Sequence, residues 1–204
     1  METNCINILL VEDNPGDARL IREMLNHPSA GTFRVVGADR CSSALDCLAR
    51  DTFDVLLLDL GLPDSQGLET IRKMRLGAPN IPIVILTGLA DEEVGFKAVQ
   101  EGAEDYLVKG QVNEILLTRS IQYSRERKRA EQALRESEEK YRLLFENAGV
   151  PIFSLTPEGG FSVLNSFAAR YLGGKPEDFK GKTMWDLFPR ELADSHVSEI
   201  RKVV

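Results

Sequence analysis

The sequence predicts an α/β protein in which a doubly wound, five-stranded parallel sheet is followed by a long helix and a smaller α+β unit. Three observations predict this fold class. Short apolar runs alternate with amphipathic stretches over about the first 120 residues. No glycine or proline occurs between Gln111 and Ala148, and both residue types return from Gly149 onward.

The apolar runs of the first part predict the strands of the sheet. The runs at 55–58 and 83–86 are continuous rather than alternating, which is typical of strands buried on both faces. The predicted strands are Ile6–Val11, Phe33–Gly37, Val55–Leu60, Ile83–Thr87 and Tyr106–Val108. The predicted helices are Ala18–Leu25, Ser42–Arg50, Leu68–Leu76 and Glu92–Glu101. Alternation of this kind predicts a parallel sheet with helices on both faces.

The stretch without glycine or proline predicts a helix that starts near Asn113. Its residues include a weak heptad seam, with steps of four and three. The seam consists of Leu116, Ser120, Tyr123, Arg127, Ala130, Leu134, Ser137, Tyr141 and Leu144. We expect a dimerising coiled coil here, and the alternative is a single solvated helix held by ion pairs between helical turns.

The last part of the chain has the pattern of short strands joined by a turn. Two strands, Ile152–Leu155 and Phe161–Leu164, flank a Thr-Pro-Glu-Gly-Gly turn, and a short helix, Ser166–Leu172, follows. The predicted organisation is therefore a sheet domain over residues 1–120, a linking helix over 121–140 and a partial α+β domain over 141–204. Phe153, Phe161 and Trp185 are predicted as core residues rather than as ligand contacts.

Polar side chains stand where the predicted strands end. Glu12 and Asp13 follow the first strand, Asp59 and Gly61 the third, Thr87 and Gly88 the fourth, and Lys109 the fifth. The carboxyl ends of parallel strands meet at one edge of the sheet, where binding sites form. We therefore expect three carboxylates, one hydroxyl and one ammonium to converge there.

Three carboxylates this close repel one another, and a hard divalent cation relieves the repulsion. Oxygen ligands with room for water and phosphate suit Mg²⁺. With the cation in place, the carboxylate of Asp59 can act as a nucleophile toward phosphorus. Lys109 and Thr87 can donate to the phosphoryl oxygens. The residues alone thus predict a site that accepts a phosphoryl group.

At this point the sequence resembles the response-regulator receiver domain of two-component signalling. The stretches ILLVEDNPGDARLIREML, DVLLLDLGLPDSQGLE, PIVILTG and GAEDYLVKG carry the resemblance from Ile8 to Lys109. It implies a flavodoxin-like fold and a phosphoryl group delivered by a histidine kinase or phosphotransfer protein. The sequence departs from the family pattern after Lys109, because Gly110 stands in place of the usual proline. A cis peptide bond is therefore not expected at this position.

The resemblance also implies a role for each site residue. Asp59 would be the phosphoacceptor, and Asp13, Glu12, Asp59 and the carbonyl of Gly61 would hold Mg²⁺. Thr87, followed by Gly88, would be the switch hydroxyl, and Lys109 would contact the phosphoryl group. Tyr106 would be the aromatic residue whose rotamer follows the switch.

The region from about Ser137 to Phe188 resembles the start of a PAS sensory domain. The further strands of such a domain are not found before Val204, so we expect a fragment of a longer signalling protein. No cysteine or histidine stands where a flavin or haem attachment would be expected. We expect the output of the receiver to pass through the long helix into this part.

Composition restricts the partners and the compartment. The net charge of −7 argues against non-specific binding to nucleic acid. The three cysteines form no C-x-x-C pair, which favours reduced thiols in the cytoplasm over a disulfide framework or zinc site. No apolar run reaches the length of a membrane span.

Three alternatives remain open at the level of function. The first is a metal-dependent phosphatase or phosphotransferase; such enzymes carry a second aspartate two residues after the nucleophile, where this chain has Gly61. The second is a receiver that docks to partners without being phosphorylated. The third is the N-terminal part of a hybrid sensor histidine kinase. We favour a stoichiometric, magnesium-dependent phosphoacceptor rather than an enzyme.

Overall fold

The chain folds into two compact units that comprise residues 1–133 and 134–204. The computed structural model describes residues 5–27, 31–88 and 97–203. A single long helix, Glu114–Glu146, contains the boundary between the units. This helix begins one residue after Asn113, whose side chain accepts a hydrogen bond from Leu116 N at 2.9 Å and so caps the first turn.

The first unit contains the predicted parallel sheet. Within the described residues its strands are β1 (Ile6–Val11), β2 (Phe33–Ala38), β3 (Val55–Asp59), β6 (Ile83–Thr87) and β7 (Asp105–Val108). Their order across the sheet is β2-β1-β3-β6-β7, and every neighbouring pair is parallel. A small antiparallel hairpin, β4 (Gly61–Leu62) with β5 (Ser65–Gln66), follows β3 and was not predicted.

Three helices of the first unit are described completely beside the long one. They are α1 (Pro15–Leu25), α2 (Cys41–Arg50) and α3 (Leu68–Gly77). Helix α1 begins earlier than predicted because Asn14 caps it, accepting from Gly16 N at 2.8 Å, and because Pro15 suits the first helical position. The first half of the predicted helix Glu92–Glu101 lies outside the described residues, and residues 97–100 are helical.

Helices cover the two faces of the sheet, as the alternation predicted. On one face, Ile71 and Met74 of α3 and Ala44 of α2 pack with Leu58 and Ile85. On the other face, side chains from α1 and the long helix pack with the opposite side of the same strands; they include Ile21, Leu25, Leu117, Ile121, Leu57 and Val84. Both faces of the central strands are thus buried, which fixes their carboxyl ends at one edge.

The long helix is attached to the first unit by polar contacts as well as by its apolar side chains. Ser120 is buried and donates to Asp105 Oδ2 at 2.6 Å. Glu104 lies 3.0 Å from Arg75 and 3.4 Å from Lys128, and Asp54 pairs with Arg125 at 3.3 Å. The predicted heptad seam is therefore wrong at Ser120, because this side chain packs inside its own unit.

The second unit is small and contains short elements. A two-stranded antiparallel sheet, β8 (Phe153–Leu155) with β9 (Phe161–Leu164), precedes helical segments at Ser166–Tyr171, Pro176–Phe179, Met184–Leu187 and Arg190–Val203. Asn165 is fully buried and joins several of them. Its side chain accepts from Ile152 N and Ala168 N and donates to the carbonyls of Phe145 and Val150.

The prediction of aromatic core residues in the second unit is wrong for two of the three. Phe153 is 43% exposed and Trp185 is 38% exposed, whereas Phe161 packs against the core cluster of Met184, Ala193 and Val197. A sheet of two strands leaves Phe153 with little to cover it, and the indole N–H of Trp185 donates to Asp194 at 2.8 Å near the surface.

Two further features concern the cysteines and the apolar character of the helices. Cys5, Cys41 and Cys47 are free thiols. Among the described residues, no helix combines the length and the apolar character that a membrane span requires.

Candidate functional site

The predicted convergence of polar groups takes place at the carboxyl edge of the first unit's sheet. Asp59 is the last residue of β3 and Thr87 the last of β6, while Glu12 and Lys109 come directly after β1 and β7. The backbone also joins these ends, since Lys109 N donates to Thr87 O at 2.8 Å. The sheet therefore determines the position of each group.

The side chain of Lys109 lies at the centre of the site. Its Nζ is 2.7 Å from Asp59 Oδ2 and 3.1 Å from Asp17 Oδ2, and both contacts are hydrogen bonds. The same ammonium lies 2.6 Å from Glu12 Oε2 and forms an ion pair with it. The angles of this contact do not meet those of a hydrogen bond. One cation thus contacts three carboxylates.

Carboxylate oxygens of Glu12, Asp13 and Asp59 lie within 4.8 Å of one another. Two independent features make these residues suitable ligands for a hard divalent cation. The donors are all oxygens, which Mg²⁺ prefers. In addition, Glu12 Oε2 is buried beside the Lys109 ammonium without an aligned hydrogen bond, so a metal ion could stabilise this carboxylate further.

Burial and charge act together on the ionisation of this site. Burial raises the pKa of Glu12 to about 7, although the neighbouring Lys109 opposes the shift and the charge of Asp59 adds to it. For Lys109, burial lowers the pKa, but contacts with Asp59, Glu12 and Asp17 outweigh burial and raise it above the ordinary value. The ammonium is therefore retained while Glu12 readily takes up a proton.

Asp59 faces a cavity of about 450 Å³. Its side chain is 14% exposed, and Gly61 N donates to its Oδ1 at 3.1 Å, which orients the carboxylate. The cavity is lined by Asp17, Asp59, Leu60, Gly61, Gln66, Gly67, Thr87, Gly88 and Lys109. A small molecule or a side chain entering this cavity would reach Asp59, Lys109 and Thr87 together.

Thr87 and Tyr106 lie on one face of the sheet. Thr87 is buried, and its Oγ1 has no hydrogen-bond partner among the described residues. Tyr106 pairs in register with Ile85, two residues before Thr87, and packs partly buried against the same core cluster. The side chains of Thr87 and Tyr106 thus lie on the same face of neighbouring strands, and residues 89–96 lie outside the described residues.

Seven of the eight residues predicted for the site lie at or next to this edge, and the eighth, Tyr106, lies further down the sheet, opposite Ile85. The sequence interpretation missed Asp17 and Gln66. The signal for Asp17 was available, because the helix start at Asn14-Pro15 puts Asp17 in the first turn of α1, four residues after Asp13. Gln66 lies on the hairpin β4–β5, whose two-residue strands leave no periodic pattern.

Comparisons with known proteins agree with this architecture. The family model for the response regulator receiver domain matches residues 8–121, more than half of the chain. The chain therefore belongs to the response regulator receiver domain family.

The cell cycle response regulator CtrA of Brucella ovis is 36% identical to the chain over 104 residues, which are 51% of this chain and 44% of that protein. The CtrA protein of Brucella abortus strain 2308 matches to the same extent. The chain thus spans less than half the length of these curated relatives.

Solved structures show the same relationship. The receiver domain of sensor histidine kinase PA1611 from Pseudomonas aeruginosa PAO1 is 32% identical with a TM-score of 0.51, covering 59% of this chain and 98% of that one. It was determined with a magnesium ion coordinated in its active-site cleft. A response regulator receiver domain protein from Clostridium thermocellum is 26% identical with a TM-score of 0.55, covering 61% and 98%.

Proposed function

We propose that the first unit accepts a phosphoryl group on Asp59 from a histidine kinase or a phosphotransfer protein, as part of two-component signalling. The observation that carries this proposal is the position of Asp59, whose carboxylate borders an open cavity between Lys109 and the acidic cluster. In this position the carboxylate is nucleophilic, accessible and next to positive charge.

Mg²⁺ would be held by Glu12, Asp13 and Asp59, together with the backbone carbonyl of Gly61, and would supply neutralising charge for the transferred phosphoryl oxygens. An Asp59 carboxylate oxygen forms the new bond to phosphorus as the bond to the donor nitrogen breaks. The leaving imidazole keeps that electron pair. Lys109 Nζ, 2.7 Å from Asp59, is placed to donate to a phosphoryl oxygen.

Turnover of a substrate is not expected from this site. Gly61, two residues after Asp59, has no side chain that could act as a general acid or base on a departing or attacking oxygen. The product is thus an aspartyl phosphate that persists until water removes it, so the unit acts as a stoichiometric phosphoacceptor rather than as an enzyme.

The switch would begin at Thr87. Its unpartnered hydroxyl can donate to an arriving phosphoryl oxygen, since no protein acceptor competes for it among the described residues. Movement of Thr87 toward the phosphoryl group, next to Gly88, would free space on the face that holds Tyr106. The response is a population shift between two packings of one fold.

The output would leave through the long helix. We infer a homodimer formed by the exposed part of the heptad seam, where Tyr123, Leu134, Tyr141 and Leu144 are between 58% and 70% exposed. The PAS-like part, residues 141–204, would receive the signal from the linking helix at 121–140.

Intact-mass spectrometry tests the phosphoacceptor proposal. The protein is incubated with acetyl phosphate, a small donor that needs no kinase, with Mg²⁺ or with EDTA. We expect a gain of one phosphoryl mass only with Mg²⁺, and its loss in Asp59→Asn. Asp46→Asn serves as a matched control, because Asp46 is an exposed carboxylate on α2 outside the cavity. Absence of the mass gain in the wild type would refute the proposal.

A further inference from the structure

Asp17 is a carboxylate of the cavity that lies outside the acidic cluster. Its Oδ2 accepts a hydrogen bond from Lys109 Nζ at 3.1 Å, and its side chain is 38% exposed at the cavity wall. The start of α1 fixes its position, since Asn14 caps the helix and Pro15 occupies the first turn. Asp17 therefore contacts Lys109 from the helix side while Glu12 and Asp59 contact it from the strand ends.

Lys109 and a bound cation would compete for the same carboxylates. Lys109 Nζ contacts Glu12 at 2.6 Å and Asp59 at 2.7 Å, and both belong to the acidic cluster. A divalent cation held by this cluster would place a second positive charge against the ammonium, and the two would repel each other strongly in a partly buried site. Asp17 is the carboxylate contact of Lys109 that remains.

We propose that Asp17 is a positioning residue that keeps Lys109 Nζ inside the cavity when a cation and a phosphoryl group occupy Glu12 and Asp59. The proposal rests on the proposed function of the site and deepens it. Without Asp17, an ammonium displaced from Glu12 and Asp59 would have only solvent to turn to, out of reach of the phosphoryl oxygens. Its displacement would then cost more, and Lys109 would compete more strongly with the cation for Glu12 and Asp59. The need for such a contact is increased by Gly110, because glycine restrains the backbone after Lys109 less than any other residue.

A simpler role for Asp17 makes a different prediction. A carboxylate in the first turn of α1 stabilises that helix and adds negative potential near any cation, whether or not Lys109 is present. The positioning role acts only through Lys109. A double-mutant cycle between the two residues separates these roles, because it measures whether the effect of one substitution depends on the other residue.

The experiment uses the full chain and Mg²⁺ alone as the probe. The dissociation constant of Mg²⁺ is measured by titration calorimetry for the wild type, Asp17→Asn, Lys109→Ala and the double variant. We expect Asp17→Asn to weaken Mg²⁺ binding by about five- to tenfold when Lys109 is present, and by less than about twofold in the Lys109→Ala background. Equal weakening in both backgrounds, or none in either, would overturn the proposal.

A second readout observes the lysine directly. In ¹⁵N-edited spectra of the Mg²⁺-loaded protein, the Lys109 ammonium should exchange slowly in the wild type and rapidly in Asp17→Asn. An unchanged ammonium signal would contradict the proposal even if Mg²⁺ affinity fell. Glu23→Gln, which changes an exposed carboxylate on the same helix, is the matched control and should leave both readouts as in the wild type.

These measurements need no phosphoryl donor. A wild type that binds Mg²⁺ but gains no phosphoryl mass would refute the proposed function while the cycle still decides the role of Asp17. A wild type that fails to bind Mg²⁺ would overturn the role of Asp17 as well, since no cation would then displace the ammonium. Circular dichroism of each variant verifies that the fold is retained.

Discussion

At the scale of single residues, the site consists of charged side chains whose burial would be unfavourable singly. Their opposite charges stabilise one another when they lie together. The three carboxylates around Lys109 would repel one another, and the ammonium contacts all three, at distances between 2.6 and 3.1 Å. Lys109 thus supplies the positive charge that offsets these carboxylates. Glu12, buried and next to Asp59, is the member most sensitive to protonation.

We predict a pH dependence of folding stability from Glu12. Its pKa is about 7 in the folded chain and 4.5 ordinarily, so the folded state binds more protons between these values. The stabilisation is fully present below about pH 4.5 and is lost as pH rises through 7, by on the order of 2–3 kcal/mol for this buried side chain. Urea unfolding in EDTA from pH 5 to 8 measures it.

Glu12→Gln is the comparison for this prediction. The variant cannot ionise at position 12, so its free energy of unfolding should change less with pH than that of the wild type. If the free energies of unfolding of the wild type and of Glu12→Gln change equally between pH 5 and 8, burial does not control the ionisation of Glu12.

Prediction from sequence worked well for residues at strand ends and less well for those placed by other elements. Asp59, Thr87 and Lys109 could be located because a parallel sheet brings the ends of its strands together. Asp17 could not be located in the same way, since its contact with Lys109 spans 92 residues and depends on the angle at which α1 leaves β1.

At the scale of elements, the long helix is attached most firmly at the edge of the sheet opposite the site. Glu104, just before β7, is only 7% exposed, contacts Arg75 and Lys128, and accepts from Ile83 N at 2.6 Å. One carboxylate therefore connects α3, the start of β6 and the long helix. This attachment holds the part of the helix up to Lys128 on the receiver unit.

Glu104→Gln should lower the free energy of unfolding of the first unit by about 2 kcal/mol, because two partly buried cations lose their counter-charge. Chemical denaturation measures the loss. Glu101→Gln is the matched control: Glu101 pairs with the more exposed Arg72, so a much smaller loss of stability is expected. An equal decrease in the free energy of unfolding in both variants would show that the buried contacts of Glu104 stabilise the unit no more than the exposed pair of Glu101 does.

The boundaries of helices and strands could be predicted from the sequence where glycine or proline marks the end of an element. The long helix was predicted within a few residues because glycine and proline are absent from it and Gly149 follows. The hairpin β4–β5 was missed because two-residue strands have no periodicity. The heptad seam was misassigned at Ser120 because a helical pattern does not reveal whether a stripe faces its own unit or a partner.

At the scale of the whole molecule, the chain combines a receiver unit with a helix whose remaining seam is exposed. Within residues 123–144, the large seam side chains Tyr123, Leu134, Tyr141 and Leu144 are all more than half exposed. Burial of apolar side chains at heptad positions against a second copy is the arrangement that these exposures favour.

Leu134→Glu should shift the protein from dimer to monomer, since it places a charge in the centre of the proposed seam. Sedimentation velocity should give about twice the chain mass for the wild type and about the chain mass for the variant, at micromolar concentration. Gln132→Glu adds the same charge on the opposite side of the helix and should leave the dimer intact. A wild type that sediments as a monomer at every concentration would refute the dimer.

The most direct test of the account is the identity of the phosphorylated residue. Borohydride reduces an aspartyl phosphate to homoserine, which marks the residue permanently for peptide mass spectrometry. After treatment with acetyl phosphate and Mg²⁺, we predict homoserine at position 59 and unmodified aspartate at positions 13 and 17. Homoserine at position 13 or 17, with Asp59 unmodified, would contradict the account.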